Sequence, residues 1–202
     1  GVRSHADDAA ALVDALDASP AVVIGRSYGG EVAVDLALRY PALVRCLVLL
    51  EPSMPMLSPE SREWLERLRR RLPPGTAPAE AAARLIEAAF GEGTWEQLPD
   101  EMRTLFVDNG DAILTEVHGA WTQPSAPELA KLDVPTLLLS GDDSPGPFRA
   151  ADDELAARLP HARRELVGGG HLIDPASPIV LSFIDELLAS STTAPPRPSD
   201  AQ

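Results

Sequence analysis

The chain has 202 residues, with 17 Lys and Arg against 31 Asp and Glu, for a formal net charge of −14. That acidic balance excludes a nucleic-acid surface, since phosphates demand clustered basic charge, and no apolar run approaches the ~20 residues of a membrane span. The single cysteine, Cys46, excludes an internal disulfide and a cysteine-rich zinc site.

In chain order, the first predicted element is a helix over about Ser4–Ala18. Ser4-His5-Ala6-Asp7 has the form of a capping box, and Ala10, Leu12, Val13 and Leu16 follow at helical spacing. The apolar run Ala21–Gly25 predicts a short strand buried on both faces. Gly29–Tyr40 reads as a helix closed by Pro41, and Val44–Leu50 as a second buried strand. Strand, turn, helix and strand in this order make a parallel βαβ unit, so the fold class is α/β.

From Glu51 to Lys131 prolines break the chain into amphipathic helices expected at about Ser61–Leu72, Pro78–Phe90, Gln97–Asp108 and Ala112–Trp121. All three tryptophans and all three methionines lie in this helical insert. The α/β pattern returns with a strand at Val134–Ser140, a helix at Phe148–Leu159, a strand at Arg163–Val167 and a last helix at Ala176–Ala189. Ser190–Gln202 is rich in Ser, Thr and Pro, lacks an apolar face, and reads as a disordered tail.

Gly25-Arg26-Ser27-Tyr28-Gly29 has the form G-x-S-x-G between a predicted strand and a predicted helix. A sharp turn there projects the Ser27 hydroxyl into solvent, and the Tyr28 N–H at the helix start points where an oxyanion develops. Phosphate binding is disfavoured, because Glu31 and Val32 stand where a P-loop needs Lys and Ser/Thr. A serine nucleophile needs a base. His171 follows Gly168-Gly169-Gly170 after the last strand and is the best placed of the four histidines; His5, His118 and His161 read as solvated or packed, with a pocket-lining place as the alternative for His118. No two histidines have metal-ligand spacing, so neither metal nor cofactor is expected.

These residues resemble the α/β-hydrolase superfamily from about Ser4 to Ala189. GRSYGG looks like its nucleophile elbow, VPTLLLSGDDSP like its penultimate strand and acid loop, and GGGH like its histidine loop. The resemblance implies a parallel sheet of the α/β-hydrolase type, its C-terminal portion with about four strands, made by residues 1–51 and 132–189. The insert at 52–131 takes the place of the superfamily's helical cap. It also implies a triad in which Ser27 attacks an acyl carbon and His171 relays the proton, with the Tyr28 N–H as oxyanion donor. Arg26, Met54, Trp64 and Trp121 are the expected lining of the substrate pocket.

Two departures matter. The superfamily's acid commonly stands three residues after the glycine that ends its strand, and here that place is Ser144. Asp143 is one residue early, Glu51 ends the strand Val44–Leu50, and Asp142 is a third choice. Asp143 is preferred because the acid loop is the commoner arrangement. The superfamily's early strands and its H-G oxyanion loop have no counterpart, so the chain reads as a C-terminal piece of a longer hydrolase, or as one whose open edge strand is covered by something else. An uncovered edge is an aggregation hazard, and self-association through it is expected. The partner expected is a small-molecule acyl substrate, and the compartment the cytoplasm. Thioester, lactone or non-hydrolytic acyl chemistry at the same serine, and a non-catalytic binding role, stand as alternatives.

Overall fold

The computed structural model describes residues 1–192. Helix α1 (Val2–Ala15) leads into β1 (Ala21–Arg26), α2 (Tyr28–Arg39), a 3₁₀ turn (Pro41–Leu43) and β2 (Val44–Leu50). The helical insert follows as α3 (Pro59–Arg71), α4 (Pro78–Phe90), α5 (Thr94–Gln97), α6 (Asp100–Asp108) and α7 (Gly110–His118). A short α8 (Ala126–Leu129) then leads to β3 (Thr136–Gly141), α9 (Gly146–Arg158), β4 (Ala162–Val167) and α10 (Pro178–Thr192). No helix among the described residues is long and apolar enough to cross a membrane.

The four strands form one parallel sheet in the order β1-β2-β3-β4. Every residue of β3 is buried, as are all of β2 except the half-buried Arg45. Alternate side chains of β2 explain its unbroken apolar run. Leu47 and Leu49 join a core with Ala6, Ala33, Leu36 and Leu155, while Cys46, Val48 and Leu50 join one with Val180 and Phe183 of α10. A strand covered on both faces has no polar side to show. β1 is an outer strand, and Ile24 on it is 41% exposed. Helices α3, α4 and α7 enclose a separate apolar cluster of Leu68, Leu72, Ala81, Ala82, Ile113 and Val117.

Local chemistry sets the helix ends. Ser58 caps α3, its Oγ accepting from the Ser61 N–H at 3.0 Å, and Arg69, Arg70 and Arg71 complement the dipole in the last turn. The capping box expected at Ser4 does not form. The helix starts at Val2 instead, because Val2, Ala6 and Ala10 make one buried stripe and burying Val2 extends it by a turn. A capping box does form at Ser125–Glu128, on a helix that the periodicity did not indicate. The tail expected from Ser190 is helical through Thr192, and its remainder, 193–202, lies outside the described residues.

Candidate active site

The chain leaves β1 at Arg26 and enters α2 at Tyr28 with a single residue, Ser27, between them. Ser27 has φ 50° and ψ −123°, a conformation that a non-glycine residue adopts at a cost of ~1–3 kcal/mol. Its backbone is pinned on both sides: the N–H donates to Leu50 O at 3.2 Å, and the carbonyl accepts from Ser53 N at 2.8 Å and Gly30 N at 2.9 Å. The tight packing rests on Gly25 and Gly30. A Cβ on Gly25 would collide with Gly29 O and stand 2.8 Å from Gly30 Cα, and one on Gly30 would stand 2.6 Å from Pro52 Cβ. Gly29 differs from them: it has open space where a Cβ would stand, with nothing within 4 Å. The Tyr28 N–H occupies the first position of α2, where no intrahelical acceptor exists.

His171 lies after β4, beyond Gly169 at φ 104°. Its Nδ1 is 2.6 Å from Glu51 Oε2, and both side chains are shielded from solvent. Glu51 Oε1 in turn accepts from the Gly141 N–H at 2.6 Å. Burial pushes the Glu51 carboxyl up, but His171, the Ser144 hydroxyl and the Gly141 N–H together outweigh it and hold the group below its ordinary value. Ser144 Oγ is buried beside this carboxylate without a hydrogen bond of regular geometry.

The structure therefore brings Glu51, and neither Asp143 nor Asp142, to His171. Glu51 follows β2 directly and reaches the centre of the sheet from a buried strand end. Asp143 is on the exposed turn after β3, held by its backbone N–H to Gly169 O, and Asp142 accepts from the Gly169 N–H through Oδ1 at 2.9 Å. The one-residue offset places buried Ser144 near Glu51 and leaves Asp143 exposed. Ser27 Oγ makes no hydrogen bond to His171 among the described residues.

Two residues that sequence reasoning passed over frame the imidazole. Phe148 of α9 stacks on it with centroids 4.0 Å apart, and Phe90 at the end of α4 tilts against it at 5.2 Å. Both lie at helix ends, where periodicity gives no hint of a long-range contact. Of the expected pocket residues, Arg26 is exposed and points Nη1 toward Ile173 O at 3.5 Å, tying the elbow to the histidine loop. Met54 is buried in the core, only 1% exposed, and lines a narrow space with Trp64 and Phe148. Trp64 sets its edge on Phe148, and Trp121 sets its edge on Tyr28. His118 Nε2 contacts Leu72 O at 2.6 Å and His161 pairs with Asp133 at 2.8 Å, both apart from His171.

Three buried acidic or phenolic groups surround these elements. Burial pushes Glu31 of α2 up to about 7, against the opposing hydrogen bonds that Thr122 donates to its Oε1 from N–H and Oγ1 at 2.5 and 2.6 Å. Burial likewise lifts Asp152 to about 7, opposed by the hydrogen bond from Ser140. Tyr28 is pushed up to about 12 by burial and by the charges of Glu116 and Glu31. An open cleft of about 560 Å³ lies beside the imidazole, lined among others by Phe90, Asp143, Ser144, Gly170, His171 and Leu172.

Known proteins share this fold. A family model described as alpha/beta hydrolase fold matches residues 1–173. The chain is 29% identical to "Putative carbamate hydrolase RutD" of Pantoea ananatis over 208 residues, covering 96% of this chain and 74% of that protein. It is 37% identical to Lipase LipV of Mycobacterium tuberculosis over 83 residues, covering 41% of this chain and 31% of that protein. The crystal structure of a hydrolase from Pseudomonas aeruginosa PA01 superposes with a TM-score of 0.65 at 24% identity, over 94% of this chain and 71% of that one. The strained serine between β1 and α2, the four-stranded parallel sheet and the family match together place this chain in the alpha/beta hydrolase fold family.

Proposed function

We propose that the protein hydrolyses carboxylic esters or related acyl compounds through Ser27, His171 and Glu51. The observation that carries this reading is the pairing of two features: a serine at φ 50° at a strand-to-helix turn, and a buried histidine whose Nδ1 is held by a buried carboxylate. Backbone strain of this kind clusters at active sites, where it is part of the mechanism.

Ser27 Oγ attacks the acyl carbon while His171 Nε2 takes its proton, and the carbonyl oxygen, now negative, receives the Tyr28 N–H. The imidazolium passes that proton to the leaving oxygen as the bond to the acyl carbon breaks. Water then attacks the acyl-enzyme, giving its proton to His171, and Ser27 recovers its own as the acid departs. Glu51 fixes the Nδ1–H tautomer and balances the transient positive charge. Catalytic hydrogen bonds are often long in a free enzyme, and in this reading the serine–histidine contact tightens as the substrate enters. Helices α3–α7 form the cap over this site, with Phe90 carrying α4 down to the imidazole.

The names of the relatives widen the range of the acyl group. Resemblance to a protein named as a carbamate hydrolase favours carbamates as a second substrate type, since a carbamoyl carbon is attacked in the same way. The test is reaction with a fluorophosphonate probe, read by mass spectrometry, together with turnover of p-nitrophenyl esters. Adduct on Ser27 and ester turnover support the reading; an unlabelled Ser27 in folded protein overturns it in favour of a non-catalytic binding role.

A further inference from the structure

The cleft beside His171 has an unusual charge balance for its size. At about 560 Å³ it is large enough to take a small substrate, and its walls are mostly apolar or small: Phe90, Pro145, Gly170 and Leu172, the last 65% exposed. Among the described residues that line it, Asp143 alone carries a formal charge, apart from the ionisable His171. Asp143 holds its place in the turn through its backbone N–H to Gly169 O, which leaves its exposed carboxylate out of the turn's own hydrogen bonding. Its neighbour Asp142 is committed differently: the carboxylate accepts from Gly169 N–H and the carbonyl from Arg149 Nη1 at 3.4 Å. The whole chain carries −14, so its net charge does not oppose a cationic ligand.

We propose that Asp143 is a specificity-determining residue that selects substrates bearing a positively charged alkylammonium group close to the scissile bond. This rests on the hydrolase reading of the same site and names its substrate class. The apolar wall of Phe90 and Leu172 takes the alkyl part. The Asp143 carboxylate at the cleft wall supplies the countercharge. An anionic group in the same position meets a carboxylate with no cation among the lining residues to offset it.

Choline and 3,3-dimethyl-1-butanol are a soluble pair that differ in charge and share their shape, so their binding isolates the charge. Titration of the full chain with each, followed by NMR at the His171 ring and neighbouring amides, gives the two dissociation constants without any turnover. A solvent-accessible charge pair at contact is worth on the order of fivefold in affinity. The wild type should prefer choline by about that factor, less so at high salt. Asp143→Asn should abolish the preference and Asp143→Glu should keep it, which separates charge from any general damage to the turn. Equal binding of the two alcohols by the wild type, or a preference that survives D143N, overturns the proposal.

A second arm compares kcat/KM for an alkylammonium ester and its neutral carbon isostere. Ester turnover with no charge preference defeats the role of Asp143 and leaves the hydrolase reading standing. A choline preference lost in D143N, in a protein that turns over no ester, supports Asp143 and defeats the hydrolase reading.

Discussion

Glu51 and His171 stand 120 residues apart in the chain, yet Glu51 Oε2 lies 2.6 Å from His171 Nδ1 with both side chains buried. A carboxylate sealed from water at a strand end is costly unless it is paired and hydrogen-bonded. Here the imidazole and the Gly141 N–H meet that requirement, one on each oxygen. If this pair orients the base, Glu51→Gln leaves the imidazole in the wrong tautomer and lowers kcat by up to ~10⁴, the scale of a neutralised triad acid. On a neutral ester Asp143→Asn should change KM little, and its loss of kcat should be at least about a hundredfold smaller. Steady-state kinetics on a neutral p-nitrophenyl ester, with folding checked by thermal melt, decides the order. A larger kcat loss at D143N would return the acid role to the turn after β3.

Ser27 gives a prediction in which function and stability pull apart. Ser27→Ala removes the nucleophile and should abolish turnover with little change in melting temperature, because alanine retains the strained backbone. Ser27→Gly also abolishes turnover but relieves the positive φ, offset in part by the greater freedom of glycine in the unfolded chain. The net gain of G over A should be up to ~1 kcal/mol, or about 2–4 °C for a domain of this length. A glycine variant that melts below the alanine variant would mean that Ser27 is not under strain.

Much of the scaffold was legible because local signals agreed with the fold. Pro78 and Gly91 bracket α4, and the unbroken apolar run Val44–Leu50 marks β2; both elements occur at the expected residues. The order of elements and the elbow followed from such signals as well. The carboxylate partner of His171 did not, because three carboxylates near two strand ends satisfy the same local pattern and only tertiary packing tells them apart. Glu51 wins by geometry: it follows a strand at the centre of the sheet, whereas Asp143 lies on an outward turn. The contacts of Phe90 and Phe148 with His171, and the burial of Glu31 and Asp152, were not legible for a related reason. Helical periodicity marks a face as apolar or polar, but it says nothing of the residue on another element that will cover it, as Thr122 covers Glu31.

The two glycines after Tyr28 should respond oppositely to a methyl group. Gly30→Ala drives its Cβ to 2.6 Å from Pro52 Cβ and 2.8 Å from Pro52 Cα, where backbone must move. Overpacking of this kind costs typically ~1–3 kcal/mol. Gly29→Ala meets open space within a helix, where alanine is the better former by up to ~1 kcal/mol. Urea unfolding of the two variants checks the contrast, and a destabilised G29A beside a neutral G30A would refute this account of the elbow.

Glu31 and Asp152 make the last prediction, on the pH dependence of stability. Each is fully buried and raised to about 7 in the fold, from ordinary values of 4.5 and 3.8. The native state therefore holds these two protons more tightly than the unfolded chain does. Their favourable contribution is complete below the unfolded values and is lost as pH rises through about 7, each pKa unit being worth ~1.4 kcal/mol. Glu51 has the opposite sign: held low in the fold, it stabilises above its ordinary value, and that benefit is lost as pH falls through its folded value. Between pH 5 and 8 the two raised groups dominate, since Glu51 is already ionised in both states over most of that range. The unfolding free energy of the wild type should thus fall from pH 5 to pH 8. Self-repulsion among 31 acidic residues pulls in the same direction, so the wild type alone does not identify the source. The double variant Glu31→Gln, Asp152→Asn does. Gln at 31 can still accept from Thr122 and Asn at 152 can still accept from Ser140, while neither titrates. Urea unfolding at pH 5 and pH 8 should show a pH slope in the wild type that is much reduced in the double variant. An undiminished slope would mean that neither buried carboxyl holds its proton in the folded protein.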